Sequence, residues 1–347
     1  MTRLSLGRKC RAKLLLACVF GIAPVVRAAT CTTESQMTVA QRDGMANAAR
    51  SMAAQVQTGD VLGLKANTLP AVAADFSGIE ATAADLRPML RQATITVDEV
   101  YLLDASTQAP DAQHTDFFCG SPVVVLNFTG LPAGTYGLAI LHATGVPQPQ
   151  QISLILSKSE NGQWLLGGFY SKAMTAAGHD GVWYWSAARK FAQTRMNWDA
   201  WFFYQLANTL LDPLDFLSSP NLDKLHHESD QVKPDELPGT KPMILSANGG
   251  AFAVTALEST TALGSLDLDL HYAPDASQAA QLRDPAAARA QVTGITTALL
   301  ALHPELHDAF HGVWVHADQG NRTLFALELP MSGFAANAPQ ANRATNR

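Results

Sequence analysis

The order of the hydrophobic patterns along the chain is the feature that most constrains its fold. Residues 37–57 carry apolar side chains at helical spacing, whereas residues 95–170 carry them in short runs that are typical of strands. Asn161-Gly162 separates the last two runs, and this pair favours a tight hairpin turn because it accepts positive φ. The apolar positions change phase near Asp98-Glu99, which predicts a β-bulge. Helices followed by antiparallel strands predict an α+β fold.

Two motifs mark the ends of this first unit, which is predicted to span residues 31–173. The first helix ends in Ala53-Ala54-Gln55-Val56-Gln57-Thr58-Gly59-Asp60, and the terminal hairpin runs from Ile152 through Asn161-Gly162-Gln163-Trp164-Leu165-Leu166. With these motifs, residues 37–172 resemble the NTF2-like family of cone-shaped α+β domains.

The resemblance implies a curved antiparallel sheet that wraps around helices and forms a pocket. That pocket is catalytic in some members of the family and a binding or dimerising surface in many others. Tyr136 and His142 share a strand face that points into the pocket of such a cone, so they are the candidate pocket residues. The alternative for His142 is a hydrogen-bonded histidine in the core.

The first 28 residues have the three parts of a secretory signal peptide. A basic start precedes an apolar stretch from Leu14 to Val26, which is shorter than the roughly 20 residues that span a bilayer. The small-x-small site Val26-Arg27-Ala28 follows. We therefore expect residues 1–28 to be removed and the protein to be exported, either to the periplasm or outside the cell. A membrane anchor and a lipoprotein modified at Cys18 are the alternatives.

Removal of this segment changes the charge of the chain. The formal net charge of the full chain is −6, and the segment contains six basic and no acidic residues, so the mature chain has a net charge of −12. Such a charge disfavours nucleic acid and anionic membranes as partners. Outside the segment, no stretch of the sequence approaches 18 apolar residues, so we expect no membrane span in the mature chain.

Only two of the four cysteines lie outside the predicted signal peptide. Cys31 and Cys119 form an even pair, and exported proteins fold in an oxidising compartment. We therefore expect a Cys31–Cys119 disulfide, and the alternative is two free thiols.

Aromatic residues are concentrated between residues 182 and 213. This segment holds nine of the chain's 26 aromatic residues and is predicted to form two helices that meet near Met196-Asn197. The pair resembles one tetratricopeptide-like helical hairpin, and the sequence contains no second copy. An independent solenoid needs roughly three repeats, so we expect the hairpin unit, residues 174–232, to dock on its neighbours. Its aromatic side chains form either a packed core between domains or an exposed partner surface, with Trp183, Trp185, Trp198 and Trp201 as candidates.

A second, smaller α+β domain is predicted over residues 233–331. Residues 214–241, which lead into it, have the composition of a linker with short turns. The signals within the domain are a strand turn, a helix start and two closing strands, at Asn248-Gly249-Gly250, Asp284-Pro285, 313–317 and 324–329. Residues 332–347 are predicted to be a disordered tail.

Two rows of acidic and histidine residues in this domain are candidates for chemistry. Asp267, Asp269 and His271 project to one side of a predicted strand, because strand side chains repeat every two residues. His316 and Asp318 share a face of a later strand. If the two faces coincide, the side chains form a cluster able to bind a divalent ion or to perform acid–base chemistry. The alternative is the solvated face of a sheet with one buried side.

A further metal candidate is the segment His307-Asp308-Ala309-Phe310-His311. Its two histidines are four residues apart, and on one helical face they can share a zinc ion. His303-Pro304 interrupts the preceding helix and Gly312 ends the segment, so the alternative is a capping or surface role.

The sequence contains no standard motif for a serine nucleophile, a phosphate loop, a dinucleotide or a redox cysteine pair. As a whole the chain resembles secreted bacterial proteins that pair an NTF2-like unit with helices and a second α+β unit, which implies no particular activity. We expect an exported protein that binds a small molecule or a protein partner without catalysis and without a cofactor. The alternatives are a metal-assisted hydrolase that uses the acid and histidine rows, and an assembly protein that dimerises through the aromatic helices.

Overall fold

The computed structural model describes residues 29–121 and 123–335. The predicted signal peptide and residues 336–347 of the predicted tail lie outside the described residues. The helices and strands confirm the α+β class. None of the described helices is long and apolar enough to cross a membrane.

The first half of the chain contains four helices followed by a series of strands. In chain order its elements are β1 (Thr30–Thr33), α1 (Val39–Thr58), α2 (Val61–Ala66), α3 (Pro70–Ala73), α4 (Ser77–Leu90), β2 (Thr94–Asp104), β3 (His114–Cys119), β4 (Val124–Thr129), β5 (Thr135–Thr144), β6 (Gln150–Lys158) and β7 (Trp164–Ala173). The helix α1 begins with a capping box at Thr38 and ends at Gly59, whose φ of 79° satisfies the left-handed position that follows a helix.

Five of these strands form one antiparallel sheet in the order β1-β2-β5-β6-β7. The predicted bulge is confirmed, because the register of β2 against β5 shifts between Val97 and Glu99. The predicted hairpin is confirmed as well, since β6 pairs with β7 and Gly162 has a φ of 82°. We refer to this sheet as the N-terminal sheet.

Both faces of the N-terminal sheet are covered. Helices α1 and α4 pack on one face, where Leu141 and Leu154 are fully buried. A small sheet of order β10-β4-β3, completed by β10 (Leu217–Ser218), packs on the other face around Leu138 and Phe117. Such double coverage explains the six consecutive buried residues of β5.

The predicted disulfide joins these two sheets. Cys31 of β1 is bonded to Cys119 of β3, with the two Cα atoms 5.2 Å apart. The bond therefore links an edge of the N-terminal sheet to the small sheet that covers it.

The second half of the chain combines a helical hairpin with another five-stranded sheet. Its elements are β8 (Thr175–Ala176), β9 (His179–Asp180), α5 (Gly181–Gln193), α6 (Asn197–Leu211), α7 (Pro220–Asp230), β11 (Met243–Ala247), β12 (Gly250–Thr260), β13 (Asp267–Ala273), α8 (Ala276–Gln281), α9 (Pro285–Leu302), α10 (Leu306–Ala309), β14 (Gly312–Gln319) and β15 (Arg322–Pro330). The predicted linker contains the 11-residue helix α7, because Ser219 caps its first turn and Leu222 and Leu225 give it a buried side.

Strands β11 to β15 lie side by side in chain order and form the C-terminal sheet. All its strand pairs are antiparallel except β13 and β14, which are parallel because α8, α9 and α10 carry the chain back between them. One face of the sheet packs on α9 and on the helical hairpin in one continuous core that includes Tyr184, Phe202 and Ile295. The hairpin thus shares its core with the C-terminal sheet, and no separate core marks the predicted boundary near residue 232.

Candidate metal centre

The two predicted acid and histidine rows lie on neighbouring strands. Strand β13 pairs with β14 in a register that places His271 opposite His316. The alternating residues Leu268, Leu270, Val313 and Val315 are buried in the core, so the polar residues between them face the other side of the sheet. The polar faces of the two strands therefore lie on the same side of the sheet, which is the arrangement that a shared site requires.

Three side chains bring their ligand atoms together on this face. Asp269 Oδ1 lies 3.1 Å from His316 Nε2 and 3.3 Å from His271 Nε2. All three atoms lie within 4.8 Å of one another. Zinc bonds of about 2.0–2.1 Å in a tetrahedral site separate neighbouring ligand atoms by about 3.3 Å. The observed separations therefore fit two edges of such a site.

The buried atom Asp269 Oδ1 has no hydrogen-bond partner among the described residues, despite these two close nitrogens. The three ligand atoms therefore converge on one region around Asp269 Oδ1. A cation between them would supply the missing interaction.

A fourth side chain orients one of the histidines. His271 Nδ1 lies 2.5 Å from Asp318 Oδ2, and Asp318 Oδ1 accepts a hydrogen bond from Thr323 Oγ1 at 2.6 Å. In a neutral imidazole that donates its Nδ1–H to Asp318, the lone pair is on Nε2, which is the atom nearest Asp269. Metal-binding histidines are commonly held in this way by a carboxylate. Asp318 is thus placed as a positioning residue, whereas the sequence offered it as a candidate ligand.

The carboxylates around His271 stabilise its protonated form, so a metal ion that binds Nε2 displaces a proton. Burial on its own lowers the pKa of His271, but the hydrogen bond to Asp318 and the charges of Asp269 and Asp318 outweigh it and raise the pKa above its ordinary value. Partial burial raises the pKa of Asp318, but its hydrogen bonds with Thr323 and His271 outweigh that effect and lower the pKa. Asp318 therefore remains ionised and able to accept the hydrogen bond at neutral pH.

The remaining metal candidates are separated from one another by the end of α10. This helix stops at Ala309, so His307 and His311 do not share a helical face. His307 contacts Asp308 and the backbone oxygen of Phe334. His311 instead lies beside Asp267, with its Nδ1 3.2 Å from Asp267 Oδ1. The expectation of one zinc ion shared by these two histidines is therefore not what the structure shows.

The candidate pocket residues lie apart from the cavity between α1 and the strands in the first half of the chain. Tyr136 is buried between the two sheets and donates a hydrogen bond from its hydroxyl to the Pro132 oxygen at 2.8 Å. His142 is partly exposed, with Nδ1 3.6 Å from Asp98 Oδ1. A cavity of about 740 Å³ opens between α1 and the strands, but its lining includes Trp164 rather than either candidate.

The aromatic residues of the helical hairpin are mostly core residues. Trp198 is buried, with its ring 4.2 Å from the ring of His303. Trp185 and Trp201 are half-buried, and Trp185 Nε1 donates a hydrogen bond to Glu228. Trp183 is 42% exposed and stacks on His179 at 3.6 Å. The packed-core interpretation therefore describes most of this segment, and Trp183 is the candidate of the four with the greatest exposure.

Sequence reasoning did not identify Glu328, which the structure brings to the same sheet face, beside His311. The available signal was an acidic residue between Leu327 and Leu329 in a strand that is otherwise largely apolar.

No protein-family model matches the chain, and neither a curated protein nor a solved structure does.

Proposed function

We propose that this protein is an exported, non-catalytic module that binds a divalent transition-metal ion through Asp269, His271 and His316. One observation carries the proposal: three ligand atoms converge on adjacent strands while Asp318 orients His271. In metal sites, a carboxylate regularly accepts a hydrogen bond from the ring nitrogen of histidine that does not bind the metal. A chance cluster of acidic residues and histidines on a surface has no need of such a carboxylate.

The ligand set indicates which metals fit. Two imidazole nitrogens with one carboxylate oxygen suit zinc, copper, nickel and ferrous iron better than magnesium or calcium. Three protein ligands leave at least one coordination position open to water or to another molecule. Zinc is the appropriate probe because it accepts both nitrogen and oxygen ligands and undergoes no redox chemistry.

The surroundings of the three ligands favour binding over hydrolysis. Their side chains are 21–32% exposed, on the sheet face opposite the core. Cavities of about 470–1260 Å³ at five places among the described residues are lined by other side chains. Hydrolysis of a small substrate normally needs a cleft beside the metal. A metal-assisted hydrolase therefore remains the alternative, and binding is the function that the geometry supports better.

The predicted signal peptide and the Cys31–Cys119 disulfide together support the exported location. The net charge of −12 expected for the mature chain also favours cations over anions as ligands.

The test is to titrate chelator-treated protein with zinc and to measure the binding by isothermal titration calorimetry. Asp269→Asn and His316→Gln preserve side-chain size and remove one ligand each, so we expect each to lose one equivalent of tightly bound zinc. His114→Gln is the matched control, because His114 is an exposed histidine at the start of β3 in a different sheet. Wild-type stoichiometry and affinity in both ligand variants would refute the proposal.

A further inference from the structure

The same sheet face contains a second group of ligating side chains around Asp267. His311 Nδ1 lies 3.2 Å from Asp267 Oδ1 and 3.8 Å from Glu328 Oε1. One ligand atom from each of the three residues lies within 4.8 Å of the others. None of these residues belongs to the group formed by Asp269, His271 and His316.

Asp267 is the strongest evidence that this group is a site. Its side chain is 1% exposed, and its Oδ2 atom is buried without a hydrogen-bond partner among the described residues. A buried carboxylate is costly unless a partner compensates its charge. His311 Nδ1 is within hydrogen-bond distance of Asp267 Oδ1 only, and a cation bound by the carboxylate would compensate its charge directly.

The backbone prepares this site. The His311 amide donates to the Leu266 oxygen, and the His311 oxygen accepts from the Met331 amide, both at 2.8 Å. These two bonds fix the backbone of His311 although its side chain is 58% exposed. The Cα atom of His311 is therefore held beside Asp267 from both flanking segments.

Gly312 leaves the space in which the two carboxylates meet. A Cβ atom at this position would lie 3.1 Å from Asp267 Oδ1 and 3.2 Å from Glu328 Oε1. The two carboxylate oxygens thus approach the same side of one backbone position. A cation bound between two neighbouring carboxylates would reduce their mutual repulsion.

We infer that Asp267, His311 and Glu328 form a second divalent-cation site beside the first. Its two carboxylates and one imidazole are a harder ligand set, which suits manganese as well as zinc. This inference deepens the proposed function but depends on different residues.

The two sites hold separate ions. Asp267 and Asp269 are two residues apart on one strand, which separates their Cα atoms by about 6.6 Å. Bridged two-metal centres place their ions roughly 3.5–4 Å apart. The four carboxylates of Asp267, Asp269, Asp318 and Glu328 balance the charge of two divalent ions on this face.

The experiment counts zinc equivalents in the full mature chain by calorimetry. We expect two equivalents for the wild type and one for His311→Ala. This histidine is mostly exposed, so its removal should leave the fold intact. Glu328→Gln provides a second variant in case His311→Ala alters the neighbouring backbone, and we expect it to weaken the same equivalent at least tenfold.

Combining His311→Ala with His316→Gln separates the two proposals. Loss of both equivalents in the double variant, with one lost in each single variant, supports two sites. If His311→Ala and Glu328→Gln keep full zinc stoichiometry while His316→Gln loses one equivalent, the second site is refuted and the first stands. If His316→Gln has no effect while His311→Ala does, the first proposal fails and the second site stands.

Discussion

The two five-stranded sheets differ in how many of their faces are covered. The N-terminal sheet has helices against one face and the small β10-β4-β3 sheet against the other. The C-terminal sheet has its core on one face, and its other face is partly exposed. The proposed ligands Asp269, His271 and His316 lie on that second face.

Strand patterns record this difference. In β5 the six residues from Tyr136 to Leu141 are buried in succession, so the strand has no polar face to offer a ligand. In β13 buried leucines alternate with Asp269 and His271. A sheet covered on both sides is specialised for stability, whereas alternation leaves one side of the strand free to bind a ligand.

Substitution of buried leucines by alanine should test this comparison with the largest changes in the free energy of unfolding. Leu138 and Leu154 are fully buried on opposite faces of the N-terminal sheet. Each mutation to alanine should lower the free energy of unfolding by about 2–5 kcal/mol. In the C-terminal sheet, Leu270→Ala should cost a similar amount, but the adjacent His271→Ala removes a partly exposed side chain that is bonded to Asp318, and it should cost only about 1–2 kcal/mol.

Chemical denaturation of these four variants measures the contrast. A small loss at either Leu138 or Leu154 would show that one face of the N-terminal sheet is not packed as described. A loss at His271→Ala as large as that at Leu270→Ala would show that the second face of the C-terminal sheet is also core.

The disulfide gives the next largest effect. It closes a separation of 88 residues, and the chain-entropy model assigns such a loop about 4.6 kcal/mol of stabilisation. The double variant Cys31→Ser with Cys119→Ser should therefore unfold at lower temperature in calorimetry. Reduction of the wild type should produce the same change, and it should leave the double variant unaffected. A reducing agent that lowers the melting temperature of the double variant equally would contradict this assignment.

Asp199 tests the core that the helical hairpin shares with the C-terminal sheet. Burial, with smaller contributions from the charges of Glu305 and Asp308, raises the pKa of Asp199 to about 7. The folded state then binds the proton more tightly than the unfolded state, so stability falls as the pH rises from about 4 to 7. Asp199→Asn should increase stability at pH 8 by about 1–3 kcal/mol and change it little near pH 4.

Chemical denaturation of the wild type and of Asp199→Asn at pH 4 and at pH 8 measures the difference in their free energies of unfolding. A gain of equal size at pH 4 and pH 8 would show that the effect of the substitution does not come from the charge of Asp199.

Local patterns were sufficient to predict most elements of the fold. The Asn161-Gly162 turn, the bulge near Asp98 and the pairing of Cys31 with Cys119 follow from turn chemistry, phase and cysteine count, and all three are confirmed. The second covering layer of the N-terminal sheet was not predicted. Its strand β10 has two residues and lies far along the chain from its partner β4, so no local pattern reveals the pairing.

The candidate site was predictable in its residues but not in its assembly. Alternation identified the faces of Asp269 and His316, yet 38 residues and three helices separate the strands β13 and β14 in the chain. Parallel pairing across such a connection is a property of tertiary packing, which a strand sequence does not encode locally. The end of α10 at Ala309 likewise depends on how the chain enters β14, and this separates His307 from His311.

The smallest expected effect is on zinc affinity, and it concerns Asp318, which orients His271 but does not itself bind the metal. Asp318→Asn keeps the size of the side chain but weakens its hold on His271 Nδ1, so zinc affinity should fall about 10–100-fold with an unchanged number of equivalents. Asp116→Asn is the matched control, because Asp116 also accepts a side-chain hydrogen bond, from Asn127, but lies in the small covering sheet. Calorimetry at constant pH distinguishes the possible roles. Loss of a whole equivalent would make Asp318 a direct ligand, whereas unchanged affinity would mean that His271 is held by the sheet alone.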